Sequence, residues 1–398
     1  PCSYFLFVPP AEVSVVYFTL WSLLFYLALT TLMIPMYAWA SELYSDSVER
    51  TSLFTAVSFA GLVGGLLFYL IPFLPLFETR EITPETLRVS VVIGSILLLV
   101  GLYYALKYVP NGSLVVAEEL AEKGKSNQLK TAVFKDMYNA VKSNKPFQVF
   151  ILAYLCFGLG MGMFLGLFFI FVDAFLGQGE VFATLAVIGL VGGLLLTPVV
   201  YKIVLLMGKR KTWLMASVIV VGTTVYIGQL SASDSVLVEL VIVYVIMTLG
   251  MTCSGVIAMP MLSDTVDYGQ LSDKKERRGT YFSIYALMTK AQLALGLSLG
   301  LALAGWLGFD ATATTHDESS AFAIHLAISW IPAVILTIGL FFIWRYPLDE
   351  RRCAIIARRL QRRQTQYDSL KQESLLPSHD SQGQPTQKQS TPYSSSAI

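Results

Sequence analysis

"PMLSDTVDYGQLSDKKERRGTYFSIYALMTKAQLALGLSLG" occupies residues 260–300. An apolar run closes on two aspartates three apart, Asp264 and Asp267. A short charged stretch carries Arg277 and Arg278, and a second apolar run follows with Lys290 inside it. Two long apolar runs joined by a short basic connection read as consecutive membrane helices. In hydrocarbon a helix satisfies its own backbone, and about 20 apolar residues cross roughly 30 Å. The rest of the chain repeats the pattern. Its 398 residues are 55% hydrophobic and 14% charged, whereas about a quarter of a soluble domain is charged. Apolar stretches at 14–40, 52–76, 87–108, 147–172, 181–206, 212–230, 236–262, 280–307 and 321–344 are the expected spans. The fold class is therefore an all-α polytopic membrane protein with nine transmembrane helices in this chain.

Basic residues orient it. If 41–51 is cytoplasmic, alternation puts 107–146, 202–211, 263–279 and everything from 345 on the same side. Those segments hold 25 of the 28 Lys and Arg. Only Arg80 and Arg88 fall opposite. The positive-inside rule thus predicts a cytoplasmic tail and cytoplasmic basic loops. Which membrane hosts the chain is left open by the sequence.

Four scattered cysteines (Cys2, Cys156, Cys253, Cys353) show no metal spacing, and the three histidines do not cluster. There is no nucleotide loop, nucleophile motif or carboxylate pair of catalytic type. The expectation is no enzyme, no metal, no cofactor and no nucleic-acid partner.

The expected organisation is a partial N-terminal bundle (1–108), a cytoplasmic inter-bundle loop (109–146), a C-terminal six-helix bundle (147–345) and a cytoplasmic tail (346–398), disordered from about 364. Within the loop, Leu129, Val133, Met137 and Val141 recur at spacing four, the pattern of an amphipathic surface helix. One long basic loop between two groups of spans is the plan of transporters built from two six-helix repeats. Three spans precede the loop and six follow. The expectation is a fragment lacking three N-terminal spans, with a natural nine-span protein as the alternative. In the tail, "YDSL" at 367–370 and the terminal "SAI" are short enough to be chance matches to adaptor-binding signals.

Three features carry the functional reading. Lys290 lies roughly 15 Å from the near end of its span, at ~1.5 Å per residue. A charge there costs about 2.5–3.5 kcal/mol on insertion scales, so intramembrane ionisable residues are functional candidates. Ser283, Ala286, Ala294 and Ser298 share its helical face, and small residues mark a face that packs inward. A snorkelling or paired lysine is the plainer alternative. No carboxylate of the sequence sits at matching depth. Secondly, Asp264 and Asp267, Arg277 and Arg278, and Arg50 in the equivalent loop of the first bundle can pair as a cytoplasmic gate; a solvated loop is the alternative. Thirdly, in "ALTTLMIPMYAWASELYSDSVER" (28–50), Pro35 removes a hydrogen bond to the Thr31 carbonyl. That predicts a kinked, cavity-lining helix with the Thr30 and Thr31 hydroxyls and Tyr37 beside the gap. "MGKRK" at 207–211 reads as a topology anchor.

These residues together resemble the glycoside–pentoside–hexuronide:cation symporters of the major facilitator superfamily, the melibiose-permease-like family. The Ile-Pro-aromatic centre followed by Glu-Arg resembles that family's fourth helix and next loop. "SDTVDYG" with a lysine 23 residues after its last aspartate resembles the junction of helices ten and eleven, and "YPLDERR" at 346–352 the exit from helix twelve. The resemblance implies helices 4–12 of a twelve-helix plan and symport of a sugar or similar small polar solute by alternating access. It implies Na⁺ or H⁺ as coupling ion, Lys290 as the helix-eleven lysine, and Tyr37 as a substrate-contacting aromatic. Thr31 and Ser283 complete the expected substrate or coupling site. The chain departs from the pattern at Met33, Ser58 and Arg278, where relatives carry an aspartate, an arginine and a glutamate. A related branch, the animal sodium-dependent lysophosphatidylcholine symporter, implies a lysolipid as the alternative substrate. A membrane scaffold or receptor acting through its tail is the second alternative. The expected partners are thus a small-molecule substrate, the lipid bilayer and a weak tail-binding adaptor.

Overall fold

The structure, a computed structural model, describes residues 2–375 apart from 9–13, 45, 72–73, 76–83, 110–136, 232–235, 274–276 and 310–317. A short helix, α1 (Cys2–Phe7), precedes α2 (Val15–Glu42), α3 (Ser47–Leu70) and α4 (Pro84–Tyr108). After a two-turn helical segment at 137–143 come α5 (Lys145–Ile170), α6 (Phe182–Met207), α7 (Lys209–Ile227) and α8 (Val236–Asp273). Then follow α9 (Arg278–Trp306), α10 (Glu318–Arg345) and α11 (Glu350–Leu375). A π-helical turn extends α5 through Phe171–Phe175, and another lies inside α10 at Leu326–Trp330.

Eight of these helices are long and apolar enough to cross a membrane: α2–α6 and α8–α10. The ninth expected span, 212–230, overlaps α7, which does not meet that standard. Lys209, Arg210 and Lys211 fill its first turn, leaving about 24 Å of helix beyond them. α7 nevertheless packs against α8 and α10, and its buried face includes Trp213, Ala216 and Val220.

Local chemistry sets the ends and moves two of them from where hydropathy put them. Asp46 caps α3, its carboxylate accepting from Val48 N at 2.9 Å and Glu49 N at 3.3 Å. The helix therefore starts before Arg50, which sits in its first turn rather than in a loop. α8 runs through Pro260 to Asp273, eleven residues past the expected boundary. Asp264 and Asp267 are thus helical. α11 also reaches Leu375, where the composition predicted disorder from about 364. After Pro347 the next proline is Pro377, and Gln, Leu, Lys and Glu before it are good helix formers. Of the expected amphipathic loop helix, Met137 and Val141 lie in the 137–143 segment and pack on the core; Leu129 and Val133 lie outside the described residues, as does "SAI".

Two buried clusters hold α5–α10 together. The one at the basic end gathers Phe147, Phe150, Trp213, Tyr281 and Phe282; the other gathers Phe164, Phe168, Phe171, Ile227 and Ile324. α5 and α9 meet backbone to backbone. A Cβ on Gly162 would lie 3.0 Å from Gly296 Cα, and one on Gly300 would lie 2.9 Å from Met163 O. Only glycine permits that approach, and dispersion across close backbones replaces the hydrophobic drive that lipid removes. Exposed leucines stand on α4 and α6, among them Leu99, Leu106 and Leu195. Such a surface suits lipid and would be an association hazard in water.

Candidate functional site: a buried ion-pair cluster and two cavities

Three cations and four carboxylates interlock at the basic end. Arg50 of α3 places Nη2 2.8 Å from Asp267 Oδ2, and its Nη1 lies 3.7 Å from Asp264 Oδ1. Its Nε and Nη2 also donate to Tyr44 O. Arg278 of α9 places Nη2 2.9 Å from the other oxygen of Asp267 and donates to Gln270 Oε1 at 3.1 Å. It reaches α2 as well, at Ser41 Oγ (3.4 Å) and Glu42 Oε1 (4.0 Å). Asp264 is held from the other side by Lys209 Nζ and accepts from Ser47 Oγ at 3.3 Å. Arg50 is 2% exposed and the two aspartates 5% each. Charges this buried persist only when paired and hydrogen-bonded.

Lys209 escaped the sequence reading. It was grouped with Arg210 and Lys211 as a topology anchor, yet Lys211 is exposed, Arg210 half-buried and Lys209 only 4% exposed. Gly208, at φ 82°, breaks the chain between α6 and α7 and turns Lys209 inward. Glu350, the first residue of α11, then accepts from Lys209 N at 2.9 Å and lies 3.9 Å from its Nζ. A glycine before a basic triplet was the one available signal. Cys353, one turn further along α11, is buried in the same cluster. Burial pushes its thiol far up, and Asp264 adds to the effect.

Of the predicted gate residues, Arg50, Asp264, Asp267 and Arg278 therefore come together. Arg277 is half-exposed at the start of α9 and makes none of the ion pairs described above. The predicted substrate residues fall differently. Lys290 is exposed on α9 and points across to α2, where Nζ meets the Thr30 hydroxyl and Tyr26 O (3.3 Å), with the Tyr26 ring at 5.6 Å. Its partner is thus a hydroxyl, a carbonyl and an aromatic face. Thr31 is exposed and donates to Leu27 O at 2.9 Å; Thr30 likewise donates to Tyr26 O at 2.6 Å. Neither hydroxyl serves the carbonyl that Pro35 frees, as the sequence had suggested, and α2 continues as helix through Pro35. Ser283 donates to Gly279 O at 2.7 Å, whereas Ala294 and Ser298 on its face are exposed, so that face is open rather than packed. Tyr37 is half-buried against the basic-end core. Among the described residues, no cluster of three or more His, Cys, Asp or Glu is placed to hold a metal.

Two cavities lie along the helices. The larger, about 550 Å³, opens between α3, α5, α6 and α8. Leu62, Leu165, Phe168 and Phe182 make it mainly apolar. The hydroxyls of its Ser58, Thr197, Thr248 and Thr252 each donate to a carbonyl of their own helix. The smaller, about 220 Å³, sits among α5, α7, α8 and α9, and Leu165 and Met251 line both.

A family model described as MFS/sugar transport protein matches residues 2–350. Among similar proteins, the sodium-dependent lysophosphatidylcholine symporter 1-A of Danio rerio is 24% identical over 58% of this chain and 43% of its own length. An uncharacterized symporter of Synechocystis is 26% identical over 56% of this chain and 42% of its own. The glucuronide carrier protein homolog of Escherichia coli is 23% identical over 53% and 46%. The chain thus spans less than half the length of each of these relatives. Eight membrane-length apolar helices and a family match over most of the sequence agree. The chain belongs to the MFS/sugar transport protein family of multi-pass membrane transporters.

Proposed function

We propose that this chain forms part of a cation-coupled symporter for a sugar or similar small polar solute, working by alternating access, with its basic end in the cytoplasm. The observation that carries the proposal is the ion pairing of Arg50 on α3 with Asp264 and Asp267 on α8. It joins helices on either side of the long 109–146 connection at the basic end. A polar latch at one end suits a carrier whose two halves part there. When they part, water hydrates the charges and replaces the lost pairs, so the two states stay close in energy. Nonpolar packing at the same place would hold one state far more firmly.

Lys290 lies where α2 and α9 face each other, which suits contact with the solute or coupling to the ion. Na⁺ and H⁺ are the proposed ions, the first supported by the sodium-dependent symporters among the similar proteins. A second reading, transport of a lysolipid, is favoured by the apolar 550 Å³ cavity, which suits an acyl chain better than a polyol. The test is uptake into proteoliposomes of the full-length protein, driven by Na⁺ or pH gradients. A hexose, a glucuronide and lysophosphatidylcholine are compared as solutes. Gradient-driven uptake of one of them is the expected result. Folded, inserted protein that moves none of them would overturn the transporter reading.

A further inference from the structure

The smaller cavity has a property that packing does not explain. Trp213 is 1% exposed and Gln292 7% exposed, and both line the cavity. Trp213 Nε1 and Gln292 Oε1 are buried and make no hydrogen bond in the structure. A buried polar atom left unpaired costs about 1–3 kcal/mol. Two in one cavity, one a donor and one an acceptor, point to something that supplies the complement of each. Gly158 faces the Gln292 amide so closely that any Cβ there would collide with it. The glycine thus makes room for the amide inside the cavity. Thr289 and Tyr154 meet hydroxyl to hydroxyl at 3.2 Å on the same wall, and Ser254 completes the polar lining.

We infer that this cavity is a subsite for a hydroxyl-bearing group of the transported solute, a sugar ring or a short polyol. A hydroxyl accepts from an indole N–H and donates to an amide oxygen in the same site. A quaternary ammonium offers neither partner, although Tyr154, Phe157 and Trp213 give the cavity aromatic walls that would otherwise suit a cation. At about 220 Å³ the space is below the roughly 300–1,000 Å³ of sites that enclose whole drug-sized ligands, which suits one ring or part of a molecule. It also exceeds the ~30 Å³ share of one water. Leu165 and Met251 stand between it and the larger cavity, so the polar chamber opens beside the apolar one. A solute entering by the larger cavity would meet the indole and the amide last. Trp213 and Gln292 are then the residues that select for hydroxyl groups.

The inference rests on the sugar reading for the identity of the solute, and its test separates the two. Thermal stability of the purified full-length protein is titrated with glucose, glucuronate, glycerol and choline. At least one polyol is expected to raise the melting temperature, with choline inert. Trp213→Phe, which keeps the ring and removes the N–H, and Gln292→Met should each weaken that polyol's apparent affinity roughly tenfold. Uptake of the same polyol should show a matching rise in KM. Protection by choline alone, or by nothing, overturns the subsite using wild-type protein, whether or not the variants fold. Uptake of a sugar with KM unchanged in both variants overturns the subsite and leaves the transporter standing. Binding lost in both variants without gradient-driven uptake by the wild type keeps the subsite and sinks the transport reading.

Discussion

Replacing Arg50 by glutamine should open the basic end. The side chain lies between two aspartates, 2.8 Å from one and 3.7 Å from the other, and is almost wholly buried. Removing one partner of a buried pair costs about 3–5 kcal/mol when the other is left alone. Here Asp264 keeps Lys209 and Asp267 keeps Arg278, so about 2–3 kcal/mol is the better figure. The cost falls on the closed arrangement, because an opened end hydrates the carboxylates. By the factor of ten per 1.4 kcal/mol, the open population should rise about 30- to 150-fold. Cys353 reports it: the thiol is buried beside Asp264, and its raised pKa keeps it protonated and unreactive while the end is closed. In a protein with Cys2, Cys156 and Cys253 replaced by alanine, a membrane-impermeant maleimide should label Cys353 faster by that factor after Arg50→Gln. Combining Arg50→Gln with Asp267→Asn should cost less than the sum of the two. A labelling rate within twofold of wild type, in protein of unchanged melting temperature, would refute the latch.

Lys290→Ala should reduce uptake more than tenfold while insertion is unchanged, and Thr30→Val should reduce it less, since Tyr26 O still holds the ammonium; full uptake by Lys290→Ala rules out a role in transport. Gly158→Ala forces a methyl into the Gln292 amide and should lower stability by about 1–3 kcal/mol, read as a fall in melting temperature. Lys209→Met should raise Cys353 labelling as Arg50→Gln does, because Asp264 loses its nearest cation and keeps Arg50 at 3.7 Å and the Ser47 hydroxyl at 3.3 Å. Deleting 376–398 should leave uptake intact, and loss of a captured adaptor with no change in transport would assign the tail a separate scaffold role.

Hydropathy and charge made the helices legible because burial in lipid demands long apolar runs whatever their partners. The same reading overrated α7 as a span, because its basic first turn shortens the apolar run, and it ended α11 too early, where composition stood in for helix propensity. Four residues of the ion-pair cluster were legible because Asp264 and Asp267 share a helical face and Arg50 and Arg278 lie at the same end of the helices. Lys209 was not, because burial of one lysine in a basic triplet depends on Gly208 and on Glu350, 141 positions away. Trp213 and Gln292 were invisible for a like reason. An unpaired indole or amide is a property of neighbours on three other helices, and no spacing within one helix announces it.

The glycine contact between α5 and α9 has a mechanical consequence. Where the two helices touch through their backbones, around Gly162, Gly296 and Gly300, there is no side-chain layer to shear, so a tilt of one carries the other there as a stiff lever. Lys290 and Gln292 both ride on α9, on faces turned toward α2 and toward α5. A displacement of α9 against α2 therefore shifts the lysine relative to its partners while the amide keeps its place over Gly158. One arm of the lever would register the motion, and the other would keep its grip.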